Sequence, residues 1–249
     1  MEFFVVIIGL CIGSFLNVCI YRLPREESIT FPPSHCTRCG YELKAIDLVP
    51  VISYLFLKGR CKKCGDKISI RYPMVEIING IIYLLIYLKF GLSLNFIFYS
   101  ILTSLLIVIS FIDLESKYIY SSTTIFGVII AAVYIVIGLY TKEINVVNNI
   151  IGGILGYLII YLIIIITRGM GEGDADIAGI CGLFIGIEGI LVALFVAIVS
   201  AGIVASVILL FKFKKRNEEI AFGPYIALGT IIYILIGKEI LTLYLSFFI

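Results

Sequence analysis

Residues 101–112 read ILTSLLIVISFI, and Asp113 follows directly. Residues 149–167 read NIIGGILGYLIIYLIIIIT, and a short link then leads into Gly171-Glu172-Gly173-Asp174. Both strings sit in apolar runs near the length of about 20 residues that an α-helix needs to cross a bilayer. The 249-residue chain is 61% hydrophobic and only 14% charged, with a mean hydropathy of +1.13. That composition excludes the ordinary soluble and disordered classes and predicts an all-α polytopic membrane protein. A carboxylate at the edge of a span is costly to keep there, so Asp113 and Asp174 become the first candidate site residues.

Working outward, apolar runs fall at 3–20, 74–91, 95–112, 121–140, 147–167, 177–187, 189–211 and 222–249. They predict about eight transmembrane helices. The run at 177–187 is short enough to be tilted, re-entrant or continuous with the next. Glu2 stands where a signal peptide would carry basic residues, and no small-residue cleavage site follows Phe3–Ile20, so that run reads as a retained first span. Only Arg22–Tyr72 resembles a soluble module. The expected organisation is a first transmembrane helix over 1–21, a polar insert over 22–73 and a transmembrane core over 74–249.

The charges give the orientation. With the N-terminus outside, every Lys and Arg of the chain's 19 except Lys89, Lys142 and Lys238 falls in an inner loop, as the positive-inside rule requires. The inner set includes Arg168 and the run Lys212, Lys214, Lys215 and Arg216. The same layout places Asp113 at the inner end of the third span and Asp174 at the inner start of the sixth, at matched depth. A lipid bilayer is the expected surroundings, with no nucleic-acid partner.

The insert carries Cys36-Thr37-Arg38-Cys39 and Cys61-Lys62-Lys63-Cys64. Four thiolates on two knuckles can surround zinc tetrahedrally and leave no open position, which makes the metal structural. Gly40 and Gly65 fit the knuckle turns. Two redox or disulfide pairs are the alternative, disfavoured in an inner-side module. His35 is expected to be a surface residue, not a ligand. Cys11, Cys19 and Cys181 lie in apolar runs and read as small hydrophobes.

Two neighbouring carboxylates cannot both ionise cheaply and share a proton. One then activates water and the other protonates the leaving amine of a scissile peptide bond. Gly169, Gly171 and Gly173 are expected to let the backbone turn tightly and come close to an extended substrate. Glu115, Glu172 and Asp176 read as solvated boundary residues.

With these residues laid out, the chain resembles the type IV prepilin peptidases, bifunctional leader peptidases and N-methyltransferases of pilus, type II secretion and competence systems. The resemblance rests on GSFLNVCIYRLP (13–24), PPSHCTRCG (32–40), VPVISYLFLKGRCKKCG (49–65), RYPMVE (71–76), FIDLE (111–115), GEGD (171–174) and FGPYIALG (222–229). It implies catalytic roles for Asp113 and Asp174 and a cytoplasmic active face in a prokaryotic inner membrane. The substrate it implies is a prepilin or pseudopilin with a short basic leader and a hydrophobic helix. Cleavage would follow a glycine, and S-adenosylmethionine would then methylate the new N-terminus. The acidic trio Glu115, Glu172 and Asp176 suits a basic leader.

The chain departs from the family at two places. Tyr120-Ser121 replace a usual Pro-Asp pair, which leaves Asp113 as the one candidate in its loop, and Asp176 stands where a Lys is common. No glycine-rich nucleotide loop is legible, so residues binding S-adenosylmethionine are not assigned. Asn17, Arg22, Arg71 and Glu76 read as polar caps and anchors at the membrane edge of the insert. The alternatives are a G-x-G-D membrane peptidase without methylation and a proton-coupled transporter, for which both aspartates lie too near the edge.

Overall fold

A computed structural model describes residues 1–167, 169–211 and 221–246. Arg168 and the basic run Lys212, Lys214, Lys215 and Arg216 lie outside the described residues. The elements in chain order are α1 (Glu2–Arg22), a 3₁₀ turn at Leu23–Arg25, a second at Ala45–Leu48, and α2 (Ile52–Phe56). Then come α3 (Arg71–Phe90), α4 (Leu94–Ser116), α5 (Ser121–Thr141), α6 (Val146–Thr167), α7 (Glu172–Leu210) and α8 (Gly223–Ser246). The described residues hold no strand, only the isolated bridges His35–Glu42 and Arg60–Lys67. Among the described residues, six helices are long and apolar enough to cross a membrane, and the apolar part of α8, Gly223–Gly237, is shorter.

The eight apolar runs, as far as their residues are described, fall on helices, but two of them merge in α7. Its 39 residues would extend ~58 Å at 1.5 Å per residue, about twice the hydrocarbon thickness. It is broken at Gly186, whose φ of 70° and ψ of −171° are not helical. A break there strips the carbonyls of residues 183 and 184 of their intrahelical partners. Asn149 of α6 replaces them: its Nδ2 donates to Leu183 O at 2.9 Å and to Phe184 O at 3.1 Å.

The chain divides into two compact units, Met1–Val108 and Ile109–Ile249. In the first, α1 crosses α3 at small residues. A Cβ added to Gly9 would lie 2.8 Å from Gly80 Cα, and one on Gly13 would lie 2.7 Å from Glu76 Cα. With no hydrophobic drive between helices in lipid, such close backbone approach and interhelical hydrogen bonds supply the association. Asn79 Nδ2 donates to Gly9 O at 2.7 Å and Asn17 Nδ2 to Tyr72 O at 3.0 Å. Ser104 of α4 donates to Asn79 Oδ1 at 2.9 Å.

In the second unit, α7 is the central element, packed by α6, α8 and α5. Gly152 and Gly156 lie against the backbone of α7 at Gly182, Gly186 and Ala178. Tyr134 of α5 stacks on Phe184 of α7 with ring centroids 5.2 Å apart. Of the three cysteines outside the insert, Cys19 and Cys181 are buried as expected, but Cys11 is exposed on α1. In a spanning helix such a face is one that lipid covers.

Candidate active site and candidate metal centre

The C-terminal end of α4 holds Asp113. Its backbone carbonyl accepts from Lys117 N at 2.8 Å, and Lys117 adopts a left-handed φ of 55° that ends the helix. Asp113 is 4% exposed. Its Oδ2 accepts the N–H of Gly223 at 3.0 Å. Gly223 opens α8, and Pro224 follows in the first turn, where its missing N–H costs nothing. The positive end of α8 therefore faces the carboxylate.

Asp174 lies in the first turn of α7 and is 5% exposed. Its amide donates to Gly171 O at 3.1 Å. Its Oδ1 is buried with no hydrogen-bond partner among the described residues. Buried carboxylate oxygens without partners are rare, and an active site is one place where they persist. Asp113 and Asp174 lie within charge–charge range of one another. Gly223 ties the pair together: a Cβ there would lie 2.9 Å from Asp113 Oδ2 and 3.5 Å from Ile177 Cδ1, one turn along α7 from Asp174. A carboxylate and its protonated neighbour, with one oxygen unpartnered among the described residues, can hold and polarise a water molecule or a peptide carbonyl.

None of Gly169, Gly171 and Gly173 has a positive φ. Gly173 is helical, and what it requires is space: a Cβ would lie 2.7 Å from Ile119 Cβ in the link between α4 and α5. That contact seats the link against the start of α7. Glu115, Glu172 and Asp176 are exposed. Asp176 also lines a cavity of about 560 Å³ among α5, α6 and α7, otherwise walled largely by apolar groups such as Val128, Ile154, Tyr157 and Leu183. The Gly223 amide was missed at the level of sequence, because a backbone donor leaves no residue-type signature. The string FGPYIALG was the available signal.

The cysteines come together as expected. Sγ atoms of Cys36, Cys39, Cys61 and Cys64 all lie within 4.8 Å of one another. Cys36 and Cys64 are 3.9 Å apart, and Cys39 and Cys61 are 4.0 Å apart. A tetrahedral site with Zn–S near 2.3 Å has edges of about 3.8 Å, so the donor set fits zinc. The two knuckles repeat one geometry. Cys36 N donates to Tyr41 O and Gly40 N to Cys36 O, while Cys61 N donates to Asp66 O and Gly65 N to Cys61 O. Gly40 and Gly65 have φ of 69° and 72°, the left-handed turn that favours glycine. Amides of Cys64 and Lys63 donate to the Cys61 sulfur and pull its thiol down to about 6. At Cys64 the Asp66 amide lowers the thiol, but burial and the neighbouring thiols outweigh it and push it up to about 11. His35 is exposed, with Nδ1 2.9 Å from Pro33 O, and stands outside the cluster.

The membrane-edge polar residues serve the fold. Arg22 donates to Ser28 O at 2.8 Å and to Pro32 O at 2.6 Å, and Glu76 Oε2 accepts from Val51 N at 2.7 Å. Arg71 Nε is buried at the start of α3. No strand–glycine loop–helix cradle exists among the described residues, so none of these residues is assigned to S-adenosylmethionine and no step is derived through it.

Residues 7–90 match the bacterial peptidase A24 N-terminal domain, and residues 100–206 match the type IV leader peptidase family. The prepilin leader peptidase/N-methyltransferase of Neisseria gonorrhoeae is 30% identical over 91% of this chain and 88% of its own. That of Bacillus subtilis is 30% identical over 96% of each. That of Myxococcus xanthus is 40% identical over 51% of this chain and 38% of its own. No solved structure matches. With family matches on both parts of the chain and relatives aligned along nearly all of it, the protein belongs to the type IV leader peptidase family.

Proposed function

We propose that this protein is a membrane aspartyl endopeptidase that removes the short basic leader of type IV prepilins or pseudopilins, and then methylates the new N-terminus. The observation that carries the peptidase reading is the buried pair Asp113 and Asp174. One member is fixed by the first amide of α8, and the other has an oxygen without a hydrogen-bond partner among the described residues. One carboxylate takes a proton from the attacking water, and the other gives a proton to the departing amine. The two act as a unit. Gly223 holds Asp113 in place, so the pair is positioned before substrate arrives.

Cleavage follows a glycine at the cytoplasmic face of a prokaryotic inner membrane, with the N-terminus outside; the distribution of Lys and Arg supports that orientation. The chain crosses eight times when the two arms of α7 and the shorter α8 are each counted as a pass. The working division is a first helix over 1–21, an insert over 22–73 and a peptidase core over 74–249. Zinc on Cys36, Cys39, Cys61 and Cys64 holds the insert, and its closed ligand set supports a structural role. Methylation rests on the naming of the relatives, with S-adenosylmethionine as donor.

The test is to incubate the full-length protein in lipid nanodiscs with a prepilin, with and without S-adenosylmethionine, and weigh the product. The expected product begins just after the leader glycine and is one methyl group heavier when the donor is present. An intact prepilin would overturn the reading. A cleaved but never methylated product would leave the peptidase alone.

A further inference from the structure

The insert carries an apolar surface that neither the cysteine centre nor the carboxylate pair uses. It runs through the 3₁₀ turn and α2. Ile46 is 70% exposed, Ile52 52%, Leu55 68% and Phe56 84%. Single exposed apolar side chains need no explanation, but a contiguous set on one short segment marks an interaction surface.

The depth of that segment is fixed by one hydrogen bond. Val51 N donates to Glu76 Oε2 at 2.7 Å. Glu76 lies five residues inside α3, which begins at Arg71, so the bond sits ~7.5 Å along the helix axis from its start. α3 is one of the helices able to cross a membrane. The segment is therefore held beside the entering turns of a span. Val51 itself has φ 62° and ψ −48°, an outlier for a β-branched residue that persists only where surroundings over-determine it. The strained residue links the 3₁₀ turn to α2 and carries the amide that is bound to Glu76 of α3.

The flanks are basic. Lys44 precedes the segment, and Lys58, Arg60, Lys62 and Lys63 follow it, all exposed. Apolar side chains at the depth of a span entrance, bordered by cations, match the interfacial zone of a bilayer with anionic headgroups.

We propose that Ile46–Phe56 is an interfacial anchor that inserts Ile46, Ile52, Leu55 and Phe56 into an anionic membrane surface, fixing the insert to the bilayer. The lipid fills the place that the protein leaves open, and Lys44, Lys58, Arg60 and Lys63 meet phosphate, while Lys62 is paired with Asp47 of the segment at 3.5 Å. The anchor does not depend on which reaction the protein performs.

The chain contains no tryptophan, so Phe56→Trp creates a single reporter in the full-length protein. It is placed in nanodiscs whose lipids carry bromine near the glycerol end of the acyl chains. The expected result is a blue-shifted emission that loses most of its intensity to brominated lipid. Quenching should be stronger with brominated phosphatidylglycerol than with brominated phosphatidylcholine at equal fraction. Leu55→Trp provides an independent reporter with the same expectation. Adding Lys44→Glu, Lys58→Glu and Arg60→Glu should remove the preference for phosphatidylglycerol. Unquenched emission at the wavelength of water-exposed indole would overturn the anchor. So would blue-shifted but unquenched emission, which means burial against protein. Equal quenching by both lipids in the unmodified background would overturn the anionic part of the assignment.

Discussion

Gly223 is the residue on which the carboxylate geometry turns. Its amide reaches Asp113 Oδ2 at 3.0 Å, and its missing side chain leaves the space that Asp113 and Ile177 occupy. Gly223→Ala places a methyl group 2.9 Å from Asp113 Oδ2, so the carboxylate must move. Displacement on the order of 1 Å at a reacting group costs up to ~100-fold in rate. The expected outcome is a ~10–100-fold fall in the rate of leader cleavage with an unchanged melting temperature. A wild-type rate would show that the contact does not position Asp113. Both aspartates were legible in the sequence because a charge beside an apolar run is anomalous. The amide that fixes one of them was not, because every non-proline residue carries the same N–H.

At the scale of elements, the packing of α6 on α7 rests on small residues and on the Asn149 amide that caps the broken carbonyls. Gly182→Val puts branched carbon where the Gly152 backbone already lies. Overpacking of this kind costs about 1–3 kcal/mol, and a lowered melting temperature in nanodiscs is the check. A melting temperature at or above the wild-type value would contradict the close approach. Neither the packing role of the glycines at 152, 153 and 156 nor the break at Gly186 was read from the sequence. A glycine in an apolar run reads equally well as a packing residue, and only its φ of 70° separates the two.

The insert is a second element with its own test. Removing zinc with a chelator, or replacing Cys39 by Ser, should release one metal ion per chain by mass spectrometry. Proteolysis within 22–73 should follow, while the transmembrane core stays intact. Retention of metal in the Cys39→Ser chain would contradict a four-cysteine centre. This module was the most legible part of the chain. Its two C-x-x-C pairs carry the ligand set in the residue types themselves, and the glycines that close the knuckles, Gly40 and Gly65, both have a left-handed φ.

For the molecule as a whole, the charge pattern argues how substrate is chosen. Glu115, Glu172 and Asp176 are exposed around the carboxylate pair, and Asp176 lines the cavity among α5, α6 and α7. Changing all three to Lys should raise KM for a prepilin with a basic leader and lower it for one with an acidic leader, with kcat less affected. The effect should shrink at high salt, as screening requires. An unchanged KM would remove these residues from substrate recognition. Composition alone carried the reading of an all-α membrane protein, since only helices and closed barrels satisfy their backbones in lipid. The number of passes was less legible, because α7 joins two apolar runs through one non-helical glycine.

The proposed function requires Asp113 and Asp174 to act as one catalytic unit. The most direct measurement compares prepilin cleavage by the unmodified protein, Asp113→Asn, Asp174→Asn and the double variant, each in nanodiscs with melting temperatures recorded. Asparagine keeps the volume and removes proton transfer. Each single variant should lose ~10²–10⁴-fold in cleavage rate, and the double variant should be no worse than the singles, since groups acting as a unit are not additive. A folded single variant that cleaves at the unmodified rate would contradict the account.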